Sequence, residues 1–267
     1  MDMHDGFTDA GFLSDGIEAS IARIRAENAA WFQLAGDTNI VLMRAMTAAM
    51  TATKGTNWSR EAVAVRILMR SSGTFQGVIL LAERGMVAQS RMLVRSIIED
   101  SFCAAGLVDK PDDIIKMLRD DAEASRRNQA KFIVAQQLGN STEDLVRLEA
   151  ITEEMDKKVK LINQKEMAKL GPMLPQYLNY QRLSDDSVHT SASSLNKHVA
   201  ANADHTGWSY KLGPGQKDDN AATLHRALLA TLPVGIVVTQ IIPDPVNNAA
   251  LMALAERFRT LSSGSTI

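Results

Sequence analysis

Apolar residues recur at intervals of three and four positions along most of this 267-residue chain, and sustained alternation is rare. A period near 3.6 is typical of an amphipathic helix, whereas a half-buried strand alternates. The chain has thirteen methionines and only 5% aromatic residues, a composition that favours helix over strand. The sequence therefore predicts an all-α, multi-helix bundle around a central helical hairpin, with few strands.

Helix start and stop signals divide this pattern into nine predicted helices. Ser14 can cap the first helix, and Pro111 suits the first turn of the fifth. Gly85 permits a tight reversal between the third and fourth helices, which we expect to form an antiparallel hairpin. Gly139 and Asn140 should end the fifth helix. The predicted helices span about 14–35, 38–53, 59–84, 86–108, 111–138, 141–170, 175–200, 221–242 and 244–261.

The chain has no clean linker and no evident internal repeat, so we expect a single domain over residues 1–267. The sixth predicted helix, 141–170, is strongly charged, which indicates a solvated helical protrusion. Glycine, proline and polar residues at 205–220 predict a long surface loop. In chain order the domain would comprise N-terminal helices at 14–53, a core at about 60–200 and C-terminal helices at 221–261.

The most apolar stretch, residues 227–242, raises the question of a membrane. It has sixteen residues and includes Pro233, Gly235 and Gln240, whereas a bilayer span needs about twenty apolar residues. We therefore interpret this stretch as a kinked core helix and expect no membrane partner.

Charge and cysteine content exclude several classes of protein. The net charge of −2 gives no global attraction to nucleic acid or anionic lipid, so any such contact must be local. Cys103 is the single cysteine, which excludes intrachain disulfides, CxxC motifs and thiolate-rich zinc sites. The N-terminal sequence MDMHDGFTDAGF lacks the basic and apolar regions of a secretory signal. We expect a cytoplasmic protein.

Charged residues interrupt the third and fourth predicted helices, which are otherwise apolar nearly all round. Spacings of three and four place them in one stripe on each helix. The stripes consist of Arg66, Arg70, Thr74 and Gly77 on the third helix, and of Arg91, Arg95 and Glu99 on the fourth. Because a short reversal makes these helices neighbours, we expect the stripes to converge into one arginine-rich polar seam.

Two interpretations of this seam are open, because buried guanidinium groups need acidic partners or an anionic ligand. In the first, acids such as Glu83, Glu99 and Asp100 neutralise the arginines and fix the helix register. In the second, the seam is an anion-binding pocket. Gly73 and Gly77 form a GxxxG pair on the same helix, which predicts close helix packing.

The densest collection of reactive side chains lies in the seventh predicted helix. It comprises Tyr177, Tyr180, Arg182, Ser184, Asp185, Asp186, Ser187, His189, Thr190 and Ser191. In a continuous helix, Arg182 and His189 would lie within about 20° of one face and about 10 Å apart along the axis. His189 is a candidate general acid or base, and Arg182 could hold a phosphate. The alternative is a structural His189, bonded to a helix or to Glu99.

Other kinds of site lack support in the sequence. His4, His205 and His225 show no HxxxH or HExxH spacing, so we expect neither a metal site nor a cofactor. The chain has no GxSxG motif, and Ser184 with His189 lacks an oxyanion-hole loop, which argues against a serine hydrolase.

Two segments resemble a widespread bacterial family of helical proteins known only as a domain of unknown function. AQSRMLVRSIIEDSF matches an arginine-serine-x-x-glutamate signature, and YQRLSDDSVHTSASSL matches a tyrosine, leucine-serine, valine-histidine-x-serine signature. The resemblance covers about residues 60–200. It implies a shared polar set, gathered into one buried site, that consists of Arg95, Glu99, Tyr180, Ser184, His189 and Ser191.

The same segments are similar to the HEPN superfamily of helical nucleases and nucleotide-binding proteins, whose motif is an arginine four to six residues before a histidine. Six residues separate Arg182 from His189, while Leu183 departs from the polar residue usual after the arginine. This resemblance implies a homodimer that cleaves RNA without a metal, with Arg182 on the phosphate and His189 as acid or base.

Three functions therefore remain in view. The first is a HEPN-like, metal-independent ribonuclease or toxin in defence or stress response. The second is a non-catalytic helical scaffold, in which Arg95, Glu99 and His189 form a buried network. The third is a module that binds a nucleotide or another small anion. In the ribonuclease hypothesis Arg182 and His189 are catalytic, and the residues that bind RNA or a nucleotide are Arg91, Arg95, Glu99, Tyr180, Ser184 and Ser191.

Overall fold

Long helices make up most of the structure, a computed structural model that describes residues 7, 9–139, 141–202 and 206–264. The all-α multi-helix prediction is confirmed. Three positions used in the sequence predictions, His4, Asn140 and His205, lie outside the described residues.

The described residues form eleven α-helices and one two-stranded sheet. The helices are α1 (Ile17–Glu27), α2 (Ala29–Ala52), α3 (Arg60–Glu83), α4 (Val87–Asp109), α5 (Pro111–Ala135), α6 (Thr142–Glu154), α7 (Gln164–Lys169), α8 (Tyr177–Leu183), α9 (Ala192–Leu195), α10 (Lys217–Ile241) and α11 (Pro245–Ser263). The strands are β1 (Val199–Ala201) and β2 (Trp208–Tyr210). Short 3₁₀ turns lie at Gly11–Leu13, Leu174–Gln176 and Asn196–His198, and a π-helical segment lies at Ser184–Val188.

Helices α3, α4 and α10 form the centre of the fold. α3 and α4 pack against each other as the predicted hairpin, and α10 packs against both. Phe75, Phe102 and Leu224, one from each helix, are completely buried where they meet. α2 and α11 cover α10 on another side. Among the described residues, α10 alone is long and apolar enough to cross a membrane, but most of its apolar window is buried inside the fold, as in the core helix of a soluble protein.

The reversal at Gly85 and the packing of Gly77 follow the sequence predictions. Gly85 has φ +75°, in the left-handed region that favours glycine. A Cβ atom at Gly77 would lie 2.9 Å from Leu93 Cδ1 of α4, so the small residue permits close helix packing there. Gly73, the other member of the GxxxG pair, faces open space, so the packing prediction is wrong at that position.

The second predicted helix begins earlier than expected. We expected a break near residues 36 and 37, but α2 is continuous from Ala29 to Ala52. Ala35 and Thr38 are completely buried on either side of Gly36, so packing holds this turn helical despite the glycine. The break between α1 and α2 falls instead at Asn28, whose side-chain amide donates to the Ile24 carbonyl at 3.1 Å.

The predicted sixth helix is interrupted at residues 155–163, between α6 and α7. Side chains of α5 bind the backbone of this segment in place of helical hydrogen bonds. Asp121 accepts from the Ile162 amide at 2.7 Å, and Arg127 donates to the Val159 carbonyl at 3.1 Å. These contacts explain why helical spacing did not produce a helix.

The predicted seventh helix is also interrupted. α8 continues into the π-helical segment, and His189 then adopts extended backbone angles, with φ −95° and ψ 144°. Ser191 caps the short helix α9 by accepting from the Ser194 amide at 3.1 Å, and its hydroxyl donates to the Asp185 carbonyl at 2.6 Å. Serine side chains that bind nearby backbone groups compete with a continuous helix, which explains the interruption.

A β-hairpin occupies part of the region predicted as a surface loop. β1 and β2 pair antiparallel, with Val199 opposite Tyr210 and Ala201 opposite Trp208. Hydrogen bonds continue beyond the strands, where the Lys211 amide donates to the His198 carbonyl at 2.7 Å. The described residues before β1 and after β2 are therefore joined at the base of the hairpin.

Candidate functional site

Arg95 of α4 is the centre of a partly buried polar network that joins α4 to α8 and to the start of the π-helical segment. Its Nε donates to Ser184 Oγ at 2.8 Å, and its Nη2 donates to the Tyr180 hydroxyl at 2.6 Å. Nη2 also lies 3.2 Å from Glu99 Oε1, one turn along the same helix. We call Arg95, Glu99, Tyr180 and Ser184 the Arg95 network. The fixed fork of the guanidinium group thus holds α8 in place on α4.

Tyr180 links this network to the hydrophobic core. The Arg95 guanidinium carbon lies 4.5 Å from the Tyr180 ring centroid, a cation–π distance. Tyr177 stacks on the same ring, and Phe102 contacts it from the core side. Burial raises the pKa of the Tyr180 phenol, and the Glu99 carboxylate adds to this effect while Arg95 opposes it. Tyr180 therefore acts in the network as a neutral hydroxyl.

The predicted single seam of arginines is wrong, because the four arginines face different partners. Arg66 is exposed and lies 4.7 Å above the ring of Trp58. Arg70 crosses to α4, where it pairs with Asp100 and donates to Ser96 Oγ at 2.6 Å. Packed helices cross at an angle, so the residues along each stripe contact different neighbouring elements. The interpretation of internal acid–arginine pairing is confirmed for Arg70, Arg91 and Arg95.

Asp100 is a buried carboxylate in the α3–α4 interface. It accepts a hydrogen bond from Ser71 Oγ at 2.8 Å and pairs with Arg70. Burial raises the pKa of Asp100 to about 6, although Arg70 and Ser71 act in the opposite direction. The folded protein therefore holds this proton more tightly than the unfolded chain does, whose aspartate pKa is about 3.9.

Asp100→Asn should remove part of the pH dependence of stability. Between the two pKa values the folded state binds more protons, so the wild type should lose stability as pH rises through this window. We expect its free energy of unfolding to fall by about 2 kcal/mol more than that of the variant between pH 4.5 and 7.5. Urea unfolding of both proteins at the two pH values measures this difference. Parallel pH profiles would contradict the raised pKa.

A second polar group lies one turn before Arg95 on α4. Arg91 is buried, and its guanidinium donates to Asp219 Oδ1 at 2.8 Å and to Thr223 Oγ1 at 3.2 Å, both on α10. Lys197, in the turn before β1, lies 3.2 Å from Asp186 Oδ2 of the π-helical segment. The first ion pair joins α4 to α10, and the second joins the π-helical segment to the base of the hairpin.

Arg226 of α10 adds a further cation at this place. It is half-buried, and its Nη1 donates to the Ala222 carbonyl at 3.4 Å. Burial lowers the pKa of Arg226, and the charges of Arg91 and Arg182 lower it further. Burial likewise lowers the pKa of Lys197, with Arg91 as the next cause. We call this group the Arg91 cluster, which consists of Arg91, Arg182, Asp186, Lys197, Asp219 and Arg226.

Positive charge exceeds negative charge in the Arg91 cluster. Four cationic side chains lie there with two carboxylates. Burial is the main cause of the lowered pKa values of Lys197 and Arg226, the charge of Arg91 lowers both further, and Asp186 and Asp219 act in the opposite direction. Half-buried cations without full compensation favour the binding of an anion. The cluster therefore has the electrostatics of an anion site.

An open cleft adjoins the Arg91 cluster. It has a volume of about 250 Å³ and lies between the start of α4, the base of the hairpin and the start of α10. We call it the hairpin cleft. Its lining includes Met86, Arg91, Lys197, His198, Lys211 and Asp219.

The remaining predicted site residues lie outside the Arg95 network. The prediction that Arg182 and His189 share one face of a continuous helix is wrong, because the π-helical segment and the extended His189 intervene. Both side chains are exposed. Ser191 caps α9 instead of contacting Arg95. Of the six residues expected in one buried site, the four of the Arg95 network are together, while His189 and Ser191 are not.

Sequence reasoning missed four members of the Arg91 cluster as site residues: Asp186, Lys197, Asp219 and Arg226. Asp186 was noticed only as part of a dense polar segment. Arg226 had a usable signal, since it is a cation next to the most apolar stretch of the chain. Lys197 and Asp219 had none, because exposed loops and helix starts are ordinarily charged.

The profile of a family of unknown function, DUF5677, matches residues 61–206, which is more than half of the chain. The chain belongs to this family. No curated protein and no solved structure matches it. The DUF5677 match contains the whole Arg95 network, but it ends before α10. Asp219 and Arg226 therefore come to the Arg91 cluster from outside the part of the chain that defines the family.

Proposed function

We propose that this protein is a cytoplasmic module that binds the phosphate of a nucleotide or of RNA at the Arg91 cluster. The observation that carries the proposal is the excess of cations there, four against two carboxylates, beside an open cleft. Arginine and lysine together suit phosphate, because the guanidinium fork binds two oxygens and the ammonium group adds a mobile charge.

The unfavourable free energy of half-buried cations in the protein without a ligand supports this proposal. Arg226 is half-buried, and burial, followed by the charge of Arg91, lowers its pKa, so its charged form is less favourable in the fold than in water. An anion that binds beside these groups would relieve the repulsion and gain hydrogen bonds at once. Binding sites commonly retain such unfavourable charges because the ligand compensates them.

The start of α4 supports phosphate as the anion. Met86, at its N-cap, provides no side-chain cap, and residues 86–89 line the hairpin cleft. The first amides of a 23-residue helix lack intrahelical acceptors, and its dipole favours negative charge. A cleft of about 250 Å³ is small for a whole nucleotide, since ligand pockets usually measure about 300–1,000 Å³. A phosphate group held inside, with the rest of the ligand outside, fits these dimensions.

Arg226→Gln should weaken phosphate binding by about tenfold or more without lowering stability. Arg226 does not line the hairpin cleft but lies close to Arg91, so the substitution removes part of the positive charge that attracts the anion, and a loss of about 1.4 kcal/mol corresponds to tenfold weaker binding. It also removes a half-buried charge, so stability should not fall. Calorimetric titration with inorganic phosphate and with AMP measures affinity, and thermal unfolding measures stability.

The matched control is Lys157→Gln, which removes a positive charge from the exposed segment between α6 and α7. It should bind phosphate like the wild type. Equal affinity of the wild type and Arg226→Gln, or the absence of any phosphate binding by the wild type, would overturn the proposal.

A second candidate function is metal-independent RNA cleavage by a homodimer. One observation favours it: Arg182 and His189 are both exposed, and Arg182 belongs to the Arg91 cluster. In this function the Arg91 cluster holds the RNA, Arg182 contacts the scissile phosphate and His189 transfers the proton.

His189→Ala and Arg182→Ala should each lower RNA cleavage in the presence of chelator by about 100-fold. Because both side chains are exposed, the variants should unfold at the wild-type temperature. Thr190→Ala, at the exposed position beside His189, is the control and should cleave RNA like the wild type. A wild-type protein that binds phosphate but does not cleave RNA would leave binding as the function.

A further inference from the structure

Two exposed aromatic side chains lie beside the hairpin cleft. Trp208 is 60% exposed and Tyr210 is 81% exposed, although large aromatic rings are usually buried. Both belong to β2, two positions apart, so they share one face of the strand. The structure therefore presents a small aromatic surface to solvent.

The geometry of the hairpin keeps these rings accessible. The two ring centroids are 5.0 Å apart with an interplanar angle of 82°, so the rings meet edge to face and do not cover each other by stacking. The partner strand places only Val199 and Ala201 opposite them. These side chains are too small to cover an indole or a phenol ring.

The strand that carries the aromatic rings leads directly into the lining of the hairpin cleft. Lys211 follows Tyr210 directly, and it lines the cleft together with His198, to whose carbonyl its own amide donates. Lys197 and Arg91 also line the cleft. Because a strand rises by about 3.4 Å per residue, the path from Trp208 to Lys211 is about 10 Å long. Aromatic rings and cations thus follow one another over the length of a few linked nucleotides.

We propose that the hairpin binds single-stranded nucleic acid, with bases stacked on Trp208 and Tyr210 and the adjoining phosphates held in the hairpin cleft. This inference rests on the proposed function for its phosphate site. Stacking platforms beside a cationic groove are the general means of binding single strands, since every base offers a π-face. A duplex does not fit, because its bases are already stacked on one another. Duplex binding also relies on a wide basic surface, whereas this chain has a net charge of −2.

The test uses the full-length protein and three fluorescein-labelled probes of twelve nucleotides. Two are single strands, one of uridine and one of thymidine, and the third is a duplex. Trp208→Ala and Tyr210→Ala should each weaken binding of the single strands by about tenfold. Both variants should bind inorganic phosphate with wild-type affinity. The control is Phe132→Ala on α5, which removes another aromatic side chain that is 60% exposed. It should bind the oligomers like the wild type.

The outcomes separate this inference from the proposed function. If phosphate binds but the aromatic variants bind the single strands like the wild type, the stacking inference is wrong and the proposed function stands. Duplex binding as tight as single-strand binding would also overturn it. A third outcome would overturn it as well: the wild type binds anionic lipid vesicles but no oligomer, and the aromatic variants lose the vesicle binding. Trp208, Tyr210 and the exposed Leu212 would then form a membrane contact. Comparing uridine with thymidine oligomers identifies RNA or DNA as the ligand.

Discussion

Arg95→Met should lower the free energy of unfolding by about 2–3 kcal/mol, which corresponds to a decrease of about 5–10 °C in melting temperature. The variant keeps an apolar stem of similar length but leaves Ser184, Tyr180 and Glu99 without their shared donor. The side chain of Arg95 is 21% exposed, so water compensates part of the loss. Urea unfolding at pH 7 measures the change.

Two further variants sharpen this test. Arg95→Lys keeps the charge but lacks the planar fork, so it should lose an intermediate amount of stability. Arg44→Met makes the same change as Arg95→Met on the exposed face of α2 and should alter stability by less than about 0.5 kcal/mol. If Arg95→Met and Arg44→Met have the same free energy of unfolding, the Arg95 network does not hold α8 on α4.

Gly85→Ala should cost about 2–4 kcal/mol of stability and should open one wall of the hairpin cleft. At φ +75° any Cβ atom is strained, and here it would also lie 2.5 Å from Pro214 Cβ and 3.0 Å from the Pro214 backbone. The Gly85 carbonyl accepts from the Gly215 amide at 2.8 Å, so relief of the clash would also lengthen this hydrogen bond. Thermal and urea unfolding measure the loss.

The same substitution at Gly73 is the control, and its expected change in stability has the opposite sign. Gly73 lies inside α3 and faces open space, so Gly73→Ala should raise stability by about 0.5–1 kcal/mol through helix propensity alone. Destabilisation of both variants to the same extent would show that the contact between Gly85 and Pro214 has no special role.

The candidate site was predictable only in part. Arg95 and Glu99 share a helix face by spacing, and the resemblance of the segment YQRLSDDSVHTSASSL added Tyr180 and Ser184, so the sequence indicated all four members of the Arg95 network. Asp219 and Arg226 lie more than 100 residues from Arg91 in the chain. Nothing local to either position indicates that α10 packs on α4 with these side chains facing Arg91. Contacts across such separations depend on the packing of whole helices.

The sequence by itself determined the helical character, the start of α3 near Ser59, the reversal at Gly85 and the burial of α10. Each depends on periodicity, a capping side chain or the φ that a turn requires, which are local properties. Only the tertiary structure decided that Gly36 stays helical, that residues 155–163 bind α5 and that His189 leaves the helix. The tertiary structure also decided that the excess of positive charge lies in the Arg91 cluster. Local preferences amount to less than about 1 kcal/mol per residue, so burial and long-range hydrogen bonds outweigh them wherever the two disagree.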